Sequence, residues 1–263
     1  MFKLYLIFLL NFYKARKENS SFNTIGSKNI ILSRTACLGN EIFERGFSKK
    51  YKRINFPKSR VDHILDGSGS KNNILKLIKY FNRLDILSNS IYMQNNKFLS
   101  KRNNIKYIMI DSFSELTDQR FYIESIDSTF YCNYGDLKKE CLENNEIKCF
   151  GNIDLDDLHY GYLNFLNKVK ETYPGVKVIF IHFPTALETR KEYIERAEKI
   201  FHIIESLKKD FPFLISLSVS PEKVLSASKG SEEYKKLPYH YDESVYEEFI
   251  ALLRSSGVID YNE

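Results

Sequence analysis

The chain of 263 residues lacks several residue patterns by which an activity is often recognised. It contains no tryptophan, and its four cysteines include no Cys-x-x-Cys pair and no spacing typical of a zinc site. The cysteines are Cys37, Cys132, Cys141 and Cys149. Because a chain of this length can bury a core without disulfides, we expect reduced thiols and a cytoplasmic location.

Glycine is scarce in the part of the chain where a nucleotide-binding loop would need it, directly after the first predicted strand. The first predicted strand is followed by residues 33–40, which hold one glycine rather than a dinucleotide-binding fingerprint. No phosphate loop of the form Gly-x-x-x-x-Gly-Lys-Ser/Thr occurs either. The histidines, which show no paired metal spacing, are His63, His159, His182, His202 and His240. The sequence therefore predicts neither a cofactor nor a metal.

Neither sign of charge dominates the chain. The 39 lysines and arginines oppose 34 aspartates and glutamates, which gives a formal net charge of +5. Without a clustered basic stripe, nucleic acid is not expected as a partner. The tightest basic group, residues 48–53 with Lys58 and Arg60 nearby, indicates either a solvated loop or the edge of a site for an anion.

Long apolar runs are missing too. The densest run, residues 4–10, is far shorter than the ~20 residues that a membrane-spanning helix needs. It also lacks the small-residue cleavage site of a secretory signal. Because Lys14, Arg16 and Lys17 follow it, the run indicates either a peripheral membrane anchor or a helix packed on the domain. We treat residues 1–28 as an apolar N-terminal segment and linker.

What the sequence does contain is an alternation of apolar strands and amphipathic helices. Strands are predicted to begin near residues 29, 105, 176 and 213, and long helical patterns cover residues 154–172 and 185–209. Such a series predicts a mainly parallel sheet with helices on both faces, in one α/β domain over residues 29–263. Residues 121–150 indicate an insertion or a small β excursion.

Two further helices are predicted from local signals. Apolar residues recur at helical spacing between Ile74 and Leu84, which predicts one helix there. Ser244 followed by Glu247 is a capping-box pattern, and it predicts that the last helix begins at this serine.

Side chains able to carry chemistry follow the first strand and precede the last helix. Ser33, Thr35 and Cys37 lie in the turn after the first strand, while His240 lies on a turn before the last helix. Asp111 ends another strand, where it either meets a ligand or caps the next segment. A hydroxyl or thiol paired with a histidine is the arrangement used for nucleophilic acyl transfer.

Two short motifs carry a resemblance to a known family. His240, which precedes the final helix, resembles the last block of the SGNH/GDSL hydrolase superfamily, and Ile108-Met109-Ile110-Asp111 and Pro238-Tyr239-His240-Tyr241 resemble two motifs of SGNH-like proteins within it. The chain is most similar to uncharacterised SGNH-like proteins of bacterial surface-polysaccharide loci, over roughly residues 29 to 253. This resemblance implies a flavodoxin-like three-layer α/β sandwich with a serine nucleophile after the first strand.

The motifs also depart from the family pattern. If the cysteine of the family's Gly-Ser-Cys turn is aligned with Cys37, Ala36 stands at the position of the nucleophile. Other alignments place Ser33 or Thr35 at that position. The family's aspartate, three residues before the histidine, is Leu237 here. Glu233 and Asp242 are the nearby acids.

The resemblance implies an esterase or O-acyltransferase that removes or transfers an acetyl group on a bacterial surface polysaccharide or its precursor. His240 would be the general base, and Ser33 or Thr35 the nucleophile, with the Cys37 thiol as an alternative. Arg34 and Arg60 would hold an anionic sugar or acyl carrier, and Asp111 would line the site. The expected partner is a glycan or acylated sugar.

Two other functions remain open at this point. Ala36 and Leu237 favour a non-catalytic glycan-binding or assembly protein that kept the fold and lost the catalytic set. A sugar-nucleotide transferase of another α/β type is disfavoured by the missing phosphate loop.

Overall fold

A computed structural model of the protein describes residues 29–66, 74–94, 97–232 and 237–259, and four isolated helical residues before them. The strands are β1 (Ile30–Arg34), β2 (Lys52–Asn55), β3 (Ile105–Asp111), β4 (Gln119–Ile123), β5 (Ser128–Cys132), β6 (Lys148–Cys149), β7 (Lys177–Ile181) and β8 (Leu214–Leu217). The α-helices are α1 (Cys37–Gly46), α2 (Val61–Asp66), α3 (Ile74–Leu77), α4 (Leu84–Ile86), α5 (Tyr92–Gln94), α6 (Phe113–Thr117), α7 (Lys139–Glu143), α8 (Leu155–Thr172), α9 (Lys191–Leu207) and α10 (Glu243–Ser255).

Five strands form one parallel sheet in the order β2-β1-β3-β7-β8. Counted along the chain within this sheet, the order is 2-1-3-4-5, which is that of flavodoxin-like folds. Every residue of β1 is buried, as expected of a strand covered on both faces. The predicted α/β class with a mainly parallel sheet is confirmed.

Helices cover both faces of this sheet. α1 and α10 contact each other. α1 connects β1 to β2, whereas α9 connects β7 to β8 in the opposite direction across the sheet. Because such crossovers are right-handed, α1 and α9 lie on opposite faces. α9 buries Ile200, Ile204 and Leu207, which share one helical face.

The chain divides into two compact units. The sheet unit comprises Lys28–Asn55, Asn103–Leu116 and Tyr173–Glu263. The described parts of the second unit include residues 56–66, 74–94, 97–102 and 117–172. The prediction of a single domain over residues 29–263 stays a prediction.

The second unit has its own small sheet and core. Its antiparallel strands lie in the order β5-β4-β6, and they begin at Gln119, two residues before the segment for which a β excursion is predicted. Phe81, Phe121 and Phe130 are buried together there, with ring centroids 5.3 to 5.8 Å apart.

Both locally predicted helices differ from what the structure has. The pattern between Ile74 and Leu84 folds as α3, a 3-10 turn at Ile78–Tyr80 and the start of α4. α10 begins at Glu243, and its first turn is capped two residues before Ser244, because the carboxylate of Asp242 accepts a hydrogen bond from the Ser244 amide at 3.1 Å. Asp242 is therefore the N-cap, and the capping-box prediction is wrong by two residues.

Most of the predicted N-terminal segment (residues 1–28) lies outside the described residues. Leu6, Leu9, Leu10 and Tyr13 are helical with exposed side chains. Within the part of the chain that the structure describes, no helix has the length and apolar character to span a membrane.

Candidate functional site

The carboxyl ends of the central strands bring the predicted side chains to one edge of the sheet. Arg34 at the end of β1 pairs with Ile110 of β3, and Asp111 pairs with Ile181 of β7. The chain order reverses around β1, which is where flavodoxin-like folds bind ligands.

Asn55 holds the two hydroxyl groups of the turn after β1. Its side-chain oxygen accepts hydrogen bonds from Ser33 Oγ at 2.9 Å and from Thr35 Oγ1 at 3.2 Å. Its amide nitrogen donates to the Thr35 carbonyl at 3.0 Å. Both hydroxyl residues are buried. The hydrogen bonds of these hydroxyls within the described residues therefore lead to β2 and to Asn40 rather than to His240.

Asp111 ties the end of β3 to the start of α1. Its carboxylate accepts hydrogen bonds from the Ala36 amide at 2.6 Å and from the Phe113 amide at 3.2 Å. Burial raises the pKa of Asp111 to about 7, while the Arg34 charge and these two amides act in the opposite direction.

Arg34 forms an ion pair with Glu115 beneath this turn. Both side chains are at most 1% exposed, and Arg34 Nη2 also donates to the Asp111 carbonyl at 2.9 Å. Arg196 of α9 donates to the Glu115 carbonyl at 2.6 Å. In this arrangement the Arg34 charge is balanced by a carboxylate, and its substrate-binding role stays a prediction.

Cys37, the first residue of α1, reaches the histidine loop. Its Sγ lies 3.7 Å from the carbonyl oxygen of Tyr239, the residue before His240. Burial, and to a lesser degree the charge of Asp111, raise the pKa of the thiol to about 12, and the backbone amides of Leu38 and Cys37 act against this. The thiol is therefore protonated near neutral pH.

The loop that carries His240 is fixed by its neighbours. The His240 carbonyl accepts from the Ala227 amide at 3.2 Å, and the His240 amide donates to the Leu237 carbonyl at 3.1 Å. The next residue, Tyr241, is buried and donates its hydroxyl to the Pro184 carbonyl at 3.0 Å. His240 itself is half-buried, with its ring 5.0 Å from that of Tyr239.

Arg60 belongs to the second unit. Its Nε donates to Asp62 at 3.1 Å, its Nη1 donates to the Gly151 carbonyl at 2.9 Å, and its guanidinium lies 5.0 Å from the centre of the Tyr131 ring. Its side chain is 4% exposed. Its predicted role toward an anion stays a prediction.

Two residues of this region are missed by the sequence analysis. Asn55 is the last residue of β2, a polar strand without an apolar run. The sequence around Asn55 therefore indicates neither the strand nor the hydrogen bonds from this side chain to the turn after β1. Gly39 allows α1 to approach closely, since a Cβ there would lie 2.5 Å from Thr35 Cγ2. A lone glycine in a polar turn predicts flexibility as readily as close contact. Glu233, named above as a nearby acid, lies outside the described residues.

No protein-family model matches the chain, and no curated protein matches it. Among solved structures it is similar to a GDSL-like lipase from Bacteroides thetaiotaomicron, at 10% identity and a TM-score of 0.46, over 93% of this chain and 97% of that one. It is also similar to a protein from Streptococcus pneumonia whose name refers to platelet activating factor, at 10% identity and a TM-score of 0.44, over 97% and 98%. At these identities and scores, the likeness carries no information about activity.

The arrangement offers a thiol and a histidine at one edge of a parallel sheet. Within the described residues, no group of three or more His, Cys, Asp or Glu side chains is placed to hold a metal ion. Cys37 contacts the loop that carries His240 through the Tyr239 carbonyl, and the backbone amides of Leu38 and Cys37 lie beside its sulfur.

Proposed function

We propose that the protein is an SGNH-like esterase or O-acyltransferase with His240 as the general base and Cys37 as the nucleophile. The observation that supports it most is the contact between Cys37 Sγ and the Tyr239 carbonyl, which joins the start of α1 to the histidine loop. Ser33 and Thr35 come second as nucleophiles, because Asn55 already binds both hydroxyls.

The raised pKa of Cys37 determines which mechanism is open to it. A thiol that is protonated at neutral pH needs a base, so His240 accepts its proton as Sγ attacks the acyl carbon. The electron pair of the carbonyl moves onto its oxygen, which backbone amides at the start of α1 stabilise. Collapse expels the alcohol, which takes the proton from His240 and leaves a thioester on Cys37.

The second half of the reaction regenerates the thiol. A water molecule, or a hydroxyl of an acceptor sugar, gives its proton to His240 and attacks the thioester carbon. The thiolate leaves and recovers the proton. Water gives an esterase, and a sugar hydroxyl gives an O-acyltransferase.

The substrate class rests on the motif resemblance alone. Pro238-Tyr239-His240-Tyr241 resembles the final block of SGNH-like proteins from bacterial surface-polysaccharide loci. We therefore propose an acetylated surface polysaccharide, or a sugar precursor of one, as the substrate.

Aryl acetate turnover tests the catalytic pair. We expect His240→Ala and Cys37→Ala each to lower kcat/KM by about 10²-fold or more, the usual effect of removing a general base or nucleophile. His202→Ala and Cys149→Ala are the matched controls, because both side chains are exposed and neither belongs to the turn after β1 or to the loop that carries His240. Wild-type turnover that persists in His240→Ala contradicts the mechanism.

Trapping of the acyl intermediate identifies the nucleophile. After a brief reaction with a labelled acetyl donor and acid quenching, we expect the label on the peptide that contains Cys37. A label on Ser33 or Thr35 would keep the reaction class and replace the nucleophile.

A specific observation also favours the non-catalytic alternative. Ala36 occupies the N-cap of α1 and gives its amide to Asp111, so that position offers neither a nucleophile nor that amide as an oxyanion donor. A protein that only binds glycan would show saturable binding of an acetylated oligosaccharide with no turnover above that of His240→Ala.

A further inference from the structure

The two edges of the parallel sheet differ in charge. β8 is the last strand of the order β2-β1-β3-β7-β8, and among the described strands it pairs with β7 alone. Its four residues carry no charge, and neither does the exposed Ser218 that follows them. The strand at the opposite edge, β2, carries Lys52 and Arg53. Because charged side chains on an edge strand hinder pairing with another chain, β2 is protected against the addition of a strand and β8 is not.

The backbone of β8 directs alternate residues away from β7. The carbonyl of Phe213 accepts a hydrogen bond from the Val178 amide at 2.9 Å, and the carbonyl of Leu217 accepts one from the His182 amide at 2.9 Å. In a parallel ladder, the residues that bond to the neighbouring strand alternate with residues whose N–H and C=O groups point the other way. The residues that direct these groups to the open edge are therefore Leu214, Ser216 and Ser218.

Two donors and two acceptors are available along this edge. The Leu214 amide already donates to the Phe211 carbonyl at 2.9 Å. The donors that remain are the amides of Ser216 and Ser218, and the matching acceptors are the carbonyls of Leu214 and Ser216. Within the part of the chain that the structure describes, none of these four groups has a backbone partner. Ser216 is half-buried, so its backbone groups are only partly solvated.

This set of donors and acceptors is complementary to itself. In an antiparallel pair, two residues directly opposite each other can exchange both of their hydrogen bonds, and the next such pair lies two positions away. If Ser216 lies opposite Ser216 of a second copy, the two serines exchange two bonds. The Ser218 amide of each copy then donates to the Leu214 carbonyl of the other. All four groups of each copy are satisfied around one two-fold axis, which points to a second copy of this chain as the partner.

We propose that the protein forms a two-fold symmetric dimer, in which the β8 strands of two copies pair in antiparallel orientation around Ser216. The pairing joins two five-stranded sheets into one continuous sheet. Addition of β8 to β2 of another copy would instead build an open filament, and the charges of Lys52 and Arg53 oppose it. Because the paired strands are antiparallel, the carboxyl edges of the two sheets, and with them the two candidate sites, face opposite directions. The proposal does not depend on the proposed esterase or acyltransferase activity.

Sedimentation of the unmodified full chain tests the oligomeric state. We expect about twice the monomer mass of 31.0 kDa at a protein concentration of about 100 μM, and dissociation to the monomer on dilution. A chain that stays monomeric at this concentration would overturn the proposal and leave the edge to a strand of another protein.

Hydrogen exchange of backbone amides tests whether β8 is the interface. The amides of Ser216 and Ser218 should exchange more slowly as the protein concentration rises, because pairing protects them. The Ser220 amide, which lies beyond the paired residues, should exchange at the same rate throughout. A dimer in which the Ser216 amide exchanges as fast as in the monomer uses another surface and would also overturn the proposal.

Two substitutions at one position separate the backbone bond from the side chain. Ser216→Pro removes the outward N–H, and proline is tolerated on an edge strand when that N–H faces away from the neighbouring strand. We expect the dissociation constant of the dimer to rise about 30-fold or more, because two reciprocal hydrogen bonds are lost. Ser216→Ala is the matched control, since it loses the contact of Oγ with His182 Nε2 at 2.9 Å but keeps the amide, and it should dimerise like the wild type.

A second proline variant keeps the test decisive if Ser216→Pro does not fold. Ser218 lies after the end of β8 and is exposed, so Ser218→Pro removes the other donor without altering the strand. This variant should also raise the dissociation constant. Proline variants that fold and dimerise as tightly as Ser216→Ala would contradict pairing through β8.

Discussion

At the scale of single residues, the Asp111 carboxyl group is subject to opposing influences. Its complete burial favours the protonated form, whereas Arg34 and the amides of Ala36 and Phe113 favour the carboxylate. Burial prevails, and the pKa rises from 3.8 to about 7. Between these values the folded protein retains a proton that the unfolded chain has released.

The stability of the protein should therefore depend on pH through Asp111. Its contribution is fully present below about pH 4 and is lost as the pH rises to about 7. In Asp111→Asn this dependence disappears, so the unfolding free energy of the wild type relative to the variant should fall by up to about 1.4 kcal/mol per pH unit in that window. Urea denaturation at a series of pH values measures the difference.

Asp85 is the matched control for this prediction. It is exposed, and its hydrogen bond to Arg83 lowers its pKa, so its contribution is lost as the pH falls. Asp85→Asn should show a weak dependence of the opposite sign. Parallel stability curves for the wild type and Asp111→Asn would contradict the raised pKa.

The sequence predicts that Asp111 matters, but not what it contacts. A carboxylate at the end of an apolar strand has a local signature. Its partners Ala36 and Arg34 are more than 70 positions away in the chain, and only the parallel pairing of β1 with β3 brings them together. Glu115, the acid that neutralises Arg34, lies in a short helix that the strand pattern does not predict.

At the scale of elements, the close approach of α1 to the turn after β1 depends on Gly39. A Cβ at this position would lie 2.5 and 2.6 Å from side-chain carbons of Thr35 and 3.1 Å from Asp111 Oδ2. We expect Gly39→Ala to lower the unfolding free energy by about 1–3 kcal/mol, although alanine is the better helix former. Urea denaturation at constant pH provides the measurement.

Gly135→Ala is the control, since its Cβ would meet its nearest neighbour, Asn133 Oδ1, at an ordinary 3.5 Å. Its effect should stay within about 0.5 kcal/mol. If Gly39→Ala is as stable as Gly135→Ala, α1 can shift away from the turn without cost, and the close approach is not required for folding.

The elements that the sequence predicts well are those with an apolar run or a long periodic face. The strands expected near residues 29, 105, 176 and 213 correspond to β1, β3, β7 and β8, and the helix expected at 154–172 corresponds to α8. β2 is missed because Lys52–Asn55 is a polar edge strand that depends on pairing with β1. The helix expected from residue 185 begins at Lys191, because a turn precedes it, in which the Glu188 amide donates to the Thr185 carbonyl at 2.9 Å.

At the scale of the whole molecule, the chain passes repeatedly between the two compact units. After Lys28 it crosses at residues 55/56, 102/103, 116/117 and 172/173. Neither unit is therefore one continuous segment. When one unit unfolds, the segments of the other unit lose the folded connections between them. We therefore expect both units to unfold in a single cooperative step.

Core substitutions in the two units test this coupling. Phe130 of the second unit and Phe249 of α10 in the sheet unit are both fully buried. Phe130→Ala and Phe249→Ala should each cost about 3–5 kcal/mol, the usual effect of removing a buried phenyl ring. Because we expect one cooperative transition, each variant should move the whole unfolding curve, whichever unit it lies in.

Two probes recorded on the same samples decide the outcome. Near-ultraviolet absorption of tyrosines and far-ultraviolet circular dichroism should give coincident midpoints in the wild type and in both variants. The exposed Phe150→Ala is the control for loss of a phenyl ring, and should leave the midpoint almost unchanged. The contrary result is an unfolding curve with two transitions, in which Phe130→Ala shifts one transition and Phe249→Ala shifts the other. That result would show that the units unfold independently and that residues 29–263 form two domains rather than one.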